Sequence, residues 1–187
     1  MITKVVDILR RADLVDSTND QIIEFGLRRF ENTVLDFLFT IICAALLGNF
    51  VVGILFEISY VVLRVFAGGY HASSEKICKY LTYVSTIGSM AVIFLLPIDS
   101  YLIHFLICVC VCVILFCAPA ESENKPLSTC ERKVYYRYCV YIILLECILY
   151  CLFICTDLIL YAKTICVSVM LVAIGVLAGL LGSRLKL

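Results

Sequence analysis

An all-α, polytopic membrane fold is predicted by three features of this chain. Of its 187 residues 63% are hydrophobic and only 16% charged, with a mean hydropathy of +1.06. The apolar residues fall into long runs separated by short polar breaks, and the basic residues crowd into alternate breaks. A helical run of about 20 apolar residues crosses a ~30 Å hydrocarbon layer. A chain of this length therefore holds about six spans with short connections and has little room for a separate soluble domain. One domain is expected over 1–187, with residues 1–32 forming N-terminal amphipathic, interfacial helices and 33–187 a six-span bundle. Charges at Lys4, Asp7, Arg10, Arg11 and Asp13 interrupt the start of the chain, so no cleavable signal peptide is expected.

Taken in order, Ile2, Val5, Val6, Leu9 and Ala12 keep helical spacing over 2–15, with Lys4, Asp7, Arg10 and Arg11 off that stripe. This is the pattern of a short amphipathic helix on the membrane surface. Thr18-Asn19-Asp20-Gln21 has capping-box spacing and opens a second helix, striped by Ile23, Leu27, Phe30, Val34 and Phe37. That helix is expected to begin at the interface, turn apolar at about residue 33 and enter the bilayer as far as Leu47. Further hydrophobic runs cover about 50–66, 77–96, 101–118, 138–156 and 158–181. They are broken by Gly48-Asn49, Gly68-Gly69, 97–100, a polar stretch from Glu121 to Lys133, and Thr156-Asp157.

The six-span arrangement places fourteen of the fifteen basic residues on one face and only Lys163 on the other. Positive charge accumulates on the cytoplasmic side, so both termini, the 64–79 segment and the 125–137 segment are assigned there.

Chemistry concentrates in Arg64-Val65-Phe66-Ala67-Gly68-Gly69-Tyr70-His71, followed seven residues later by Cys78. A thiol becomes an effective nucleophile when a base or a positive field helps it to ionise. On one continuous helix His71 and Cys78 would be separated by about 10.5 Å of rise, too far for a hydrogen bond. A break is therefore required. Gly68-Gly69 supplies it, and Ser73 or Ser74 then caps a new helix with Cys78 in its first or second turn. The dipole of that helix favours thiolate, and His71 folds back as base. A buried cysteine beside an unrelated interfacial histidine is the plainer alternative.

The string Leu63-Arg64-Val65-Phe66-Ala67-Gly68-Gly69-Tyr70-His71-Ala72 with Cys78, together with Glu123-Asn124-Lys125-Pro126-Leu127, resembles the signature segments of the accessory gene regulator B family of bacterial membrane peptidases. The resemblance implies a membrane cysteine endopeptidase that cuts a quorum-sensing pro-peptide and helps to cyclise the product as a thiolactone or lactone. It makes His71 and Cys78 the catalytic pair and assigns supporting or substrate-binding roles to Arg64, Gly69, Lys125 and Pro126; Gly68 is added because a glycine pair lets a peptide backbone approach closely. It also implies residence in the bacterial cell membrane. The partners expected are a small pro-peptide, the lipid bilayer and a second copy of the chain. A homodimer is preferred because so small a bundle encloses little volume for a long peptide. No cofactor, metal or nucleic acid is expected.

Each residue also has a plainer use. Arg64 serves equally as a snorkelling anchor, and Gly68-Gly69 as a helix terminus. Lys125, Arg132 and Lys133 are positive-inside residues that also suit an acidic peptide tail. Glu57 and Glu146 lie within spans, where interhelical hydrogen bonds are their simplest role. His104 is read as a packing or hydrogen-bonding residue. The twelve cysteines contain no Cys-x-x-Cys pair, and those within the spans are read as filler between helices, whereas Cys78 and Cys130 lie near the cytoplasmic loops. Six spans with intramembrane glutamates also suit a small-peptide exporter without covalent chemistry, and the cysteines a structural or metal-responsive protein.

Overall fold

The computed structural model describes residues 20–70, 74–97, 100–120 and 127–185, and all regular elements among them are helices. They are α1 (Asp20–Leu46), α2 (Phe50–Ala67), α3 (Glu75–Leu95), α4 (Ser100–Cys117), α5 (Thr129–Cys155) and α6 (Ile159–Leu185). The fold class is all-α, as expected. The predicted helix over 2–15 and the cap at Thr18 lie outside the described residues.

The chain divides into two compact units, Met1–Phe39 and Thr40–Leu187. In the first, the described residues form the charged part of α1, where Arg28 Nη2 pairs with Glu24 Oε1 at 2.6 Å one turn away. Such an exposed pair contributes only about 0.3–0.5 kcal/mol.

The second unit is built around α6. This helix carries apolar or small residues on nearly every side, and Ala162 to Val169, Val172, Ala173 and Val176 are all buried. A helix apolar all round belongs in the middle of a bundle, and α6 packs against α2, α3, α4 and α5. Close approach at Gly53 of α2 is demanded by the end of α1: a Cβ there would lie 2.8 Å from Ala44 Cβ and 3.0 Å from the Thr40 carbonyl.

Buried polar groups find one another across helices, since lipid offers them no partner. Thr40 Oγ1 donates to Glu57 Oε2 at 2.8 Å. Glu146 is hydrogen-bonded to Ser59, whose hydroxyl also meets that of Ser168. Both glutamates thus have the interhelical partners their sequence positions suggested.

At one end of this unit the ε-ammonium of Lys163 donates to the carbonyl of Leu96, which follows α3. A cation at a helix C-terminus meets the negative end of the dipole. Asn49 caps α2 through its side chain and donates from Nδ2 to the Tyr161 hydroxyl at 3.3 Å. The opposite end holds the C-termini of α2, α4 and α6 and the N-termini of α3 and α5. There Phe66 packs on Tyr135 and Tyr138, with ring centroids 5.7 and 5.2 Å apart.

One sequence expectation needs correction. The polar stretch through Lys133 is not all loop, because α5 begins at Thr129, nine residues before the expected run. Ser128 accepts from the Glu131 N–H while the Glu131 carboxylate accepts from the Ser128 N–H, a capping box that starts the helix among charged residues. The helices behind the six expected spans differ in length and apolar content. Among the described residues, four helices are long and apolar enough to cross a membrane: Phe50–Ala67, Lys76–Leu95, Thr129–Cys155 and Ile159–Gly182. The Tyr101–Cys117 stretch is apolar but shorter. In α1, Glu24, Arg28, Arg29 and Glu31 charge the first half, and Asp36 interrupts the second.

Candidate active site

At Gly68 the backbone leaves α2 with φ +71°, and at Gly69 φ is +133°, conformations that side chains other than glycine's resist. Gly68 closes the helix by donating to the Arg64 carbonyl at 3.1 Å. Space also selects glycine here. A Cβ on Gly68 would fall 2.2 Å from the Ala120 carbonyl oxygen, and one on Gly69 would fall 1.7 Å from Arg64 Nη1.

Arg64 organises this loop. Its side chain turns back past its own helix end, with Nη1 donating to the Gly68 carbonyl and Nη2 to the Tyr70 carbonyl, each at 2.7 Å. A guanidinium presents its donors in a fixed planar fork, which suits two carbonyls held a set distance apart. The Tyr70 N–H donates to the Gly175 carbonyl of α6 at 2.8 Å. The Ala120 N–H, just past α4, donates to the Ala67 carbonyl at 2.9 Å, and Gly68 pairs with Ala120 as an isolated parallel bridge. The segment after α2 is therefore tied to both α6 and the start of the loop that follows α4.

Cys78 is the fourth residue of α3 and is half-buried. Its N–H makes an early helical bond, to the Ser74 carbonyl at 3.0 Å. Ser74 occupies the N-cap with extended backbone, although its side chain makes no capping bond. The break and new helix expected between Gly69 and Cys78 are thus present. His71, Lys125 and Pro126 lie outside the described residues. Among the site residues named from sequence, Arg64, Gly68 and Gly69 converge in the loop described above, and Cys78 begins the next helix.

Sequence reasoning overlooked Gly175, Gly179 and Gly182, which face the loop from α6. The signal was legible: Gly175-x-x-x-Gly179 within an apolar helix marks a face that admits close approach.

Away from this end, His104 Nδ1 is hydrogen-bonded to the Tyr150 hydroxyl, as expected for a structural histidine. The filler reading of the cysteines holds for Cys110, Cys139 and Cys166, which are buried. It does not hold for Cys108, Cys151 and Cys155, which are exposed and line an apolar cavity of about 370 Å³ between α4 and α5. All twelve thiols are free. No cluster of three or more potential metal ligands occurs among the described residues.

Fold and site together define a helical membrane protein in which an arginine-bound glycine turn precedes a cysteine-bearing helix. Residues 2–176 match the family described as Accessory gene regulator B, and the chain belongs to that family. An AgrB-like protein of Lactiplantibacillus plantarum is 29% identical over 109 residues. That match covers 58% of this chain and 54% of the relative, so it spans about half the length of the curated protein. No solved structure matches the chain.

Proposed function

We propose that this protein is a membrane cysteine endopeptidase that cleaves a quorum-sensing pro-peptide through an acyl-thioester on Cys78 and promotes its cyclisation. The observation carrying this reading is the fixed Gly68–Tyr70 turn, which immediately precedes His71 in the sequence, together with the start of α3, whose fourth residue is Cys78. Family membership supports the same chemistry.

In the proposed reaction His71 accepts the Cys78 proton, and the thiolate adds to the scissile carbonyl. His71 then protonates the departing amine of the C-terminal fragment, leaving the signal segment as a thioester. A thiol or hydroxyl within that segment attacks the thioester, closes the ring and expels the Cys78 thiolate. Water competes at this last step, so a site that excludes it favours cyclisation over hydrolysis. Arg64 acts as a positioning residue in this scheme, and Lys125 and Pro126 belong to the substrate-facing loop.

The test is reconstitution of the full chain in liposomes with a linear pro-peptide bearing an acidic tail. Release of the free tail and of a product lighter than the linear segment by one water is expected. Transfer of uncut peptide across the bilayer would instead indicate an exporter.

The loop contributes a second expectation. Arg132 and Lys133 are exposed in the first turns of α5. Neutralising them together with Lys125 should raise KM for the acidic-tailed peptide by about tenfold with little change in kcat, and a neutral tail should remove most of the difference. Equal KM for both peptides in both proteins would assign these residues to orientation alone.

The proposed setting is the bacterial cell membrane, with both termini and the site in the cytoplasm. Single cysteines introduced at Tyr70 and Asn124 of a chain cleared of native cysteines should react only with reagent admitted to the cytoplasm, and one at Asp99 with external reagent. Labelling of 70 and 124 from opposite sides would contradict a shared site. Two copies are the proposed assembly.

A further inference from the structure

We infer that α6 is a positioning element of this site: Gly175, Gly179 and Gly182 form a seat for the Gly68–Tyr70 loop and so set the point from which His71 leaves it. The role of His71 as base rests on the peptidase reading above, whereas the seat itself does not.

Residues spaced by four and then three share one helix face. In membrane helices such a small-residue face ordinarily admits a second helix. Here it admits a loop. A Cβ at Gly179 would lie 2.8 Å from the Gly69 carbonyl carbon and 2.9 Å from Tyr70 N, both backbone atoms that cannot rotate away. At Gly175 a Cβ would lie 2.4 Å from Arg64 Nη1, so the space beside this glycine is filled by the guanidinium that holds the loop. The Tyr70 ring lies 3.6 and 3.7 Å from a Cβ built on Gly182, an ordinary packing distance.

The hydrogen bonds make this more than close packing. Tyr70 is held through its N–H by the Gly175 carbonyl and through its carbonyl by Arg64 Nη2. These bonds constrain the two peptide planes flanking Tyr70. The second is the peptide of the Tyr70 carbonyl, through which the chain continues to His71. Displacing the loop from α6 therefore re-aims the residue proposed as base. A shift of about 1 Å at a reacting group is enough to cost about a hundredfold in rate.

Two readouts test this in the full chain in detergent or liposomes. Hydrogen exchange resolved at the Tyr70 amide of the unsubstituted protein should be slowed at least about a hundredfold relative to an unstructured peptide, although the residue is 42% exposed. Exchange at the unstructured rate overturns the seat without recourse to any variant. In Gly179→Ala that protection should be lost. Gly88→Ala in α3, where a Cβ meets nothing within 4 Å, should keep it.

The second readout is carbamidomethylation of Cys78 by iodoacetamide, followed peptide by peptide across pH. Gly179→Ala should lower the rate near pH 6 by about tenfold and reproduce the pH profile of His71→Ala. Gly175→Ala, which displaces the guanidinium rather than the backbone, should shift the profile in the same direction. Retention of the unsubstituted profile in a folded Gly179→Ala protein overturns the positioning role. If His71→Ala itself leaves the profile unchanged, the peptidase reading of His71 fails, and Tyr70 exchange alone decides the seat.

Discussion

Cys78→Ala should abolish cleavage of the pro-peptide, a fall on the order of a thousandfold or more, while membrane insertion and peptide binding persist. The substitution removes the acyl acceptor and little else, since Cys78 is half-buried in the opening turn of α3 and stands outside both hydrophobic clusters of the described residues. Cys78→Ser should be nearly as inactive, because a hydroxyl ionises far less readily than a thiol. His71→Ala leaves the nucleophile but removes its proton acceptor. Any residual activity should then rise with pH as the thiol ionises unaided. The three variants are read together by tail release at several pH values. Normal cleavage by Cys78→Ala would contradict the proposed reaction at its first step.

Arg64→Ala should lower kcat by about a hundredfold, and Arg64→Lys should recover little of it. Two hydrogen bonds from a charged donor, each worth about 1.5–3 kcal/mol, are lost, which leaves the loop to its backbone bonds with Gly175 and Ala120. Lysine retains the charge, but its single ammonium cannot reproduce a planar fork across two carbonyls. This comparison separates the two uses of Arg64 suggested by sequence. A snorkelling anchor requires only a cation on a long stem, so full activity in Arg64→Lys would restore that explanation. Insertion and folding should be intact in both variants, because membrane passage of α2 is driven by its apolar residues.

Helix positions were largely legible because lipid imposes a strict rule: every apolar run must satisfy its own backbone as a helix. The runs read at 50–66 and 101–118 correspond to Phe50–Ala67 and Ser100–Cys117. The early start of α5 was missed because Arg132, Lys133 and Arg137 suggested a loop, although Ser128 and Glu131 carried the capping signal. Apolar content alone also makes α1 look more like the other helices than it is, since Asp36 counts little in an average but much in a bilayer.

At the site, the break between His71 and Cys78 followed from two glycines and two serines, which act locally. What Arg64 holds could not be read in that way. Its carbonyl partners are near in sequence, but their orientation depends on α6, more than a hundred residues later. The glycine pattern of α6 announced a face open to close approach without naming what occupies it. A periodic pattern specifies a surface, and only the fold supplies its partner.

The most direct measurement of the central claim is a search for the acyl-enzyme. The full chain in liposomes is mixed with pro-peptide, quenched in acid within the first turnover and digested for mass spectrometry. The account predicts the N-terminal signal segment attached to the Cys78-bearing peptide through a bond released by hydroxylamine, absent from Cys78→Ala and accumulating when the cyclising residue of the pro-peptide is replaced. Attachment at another of the twelve cysteines, or cleavage at full rate with no adduct at any quench time, would contradict it.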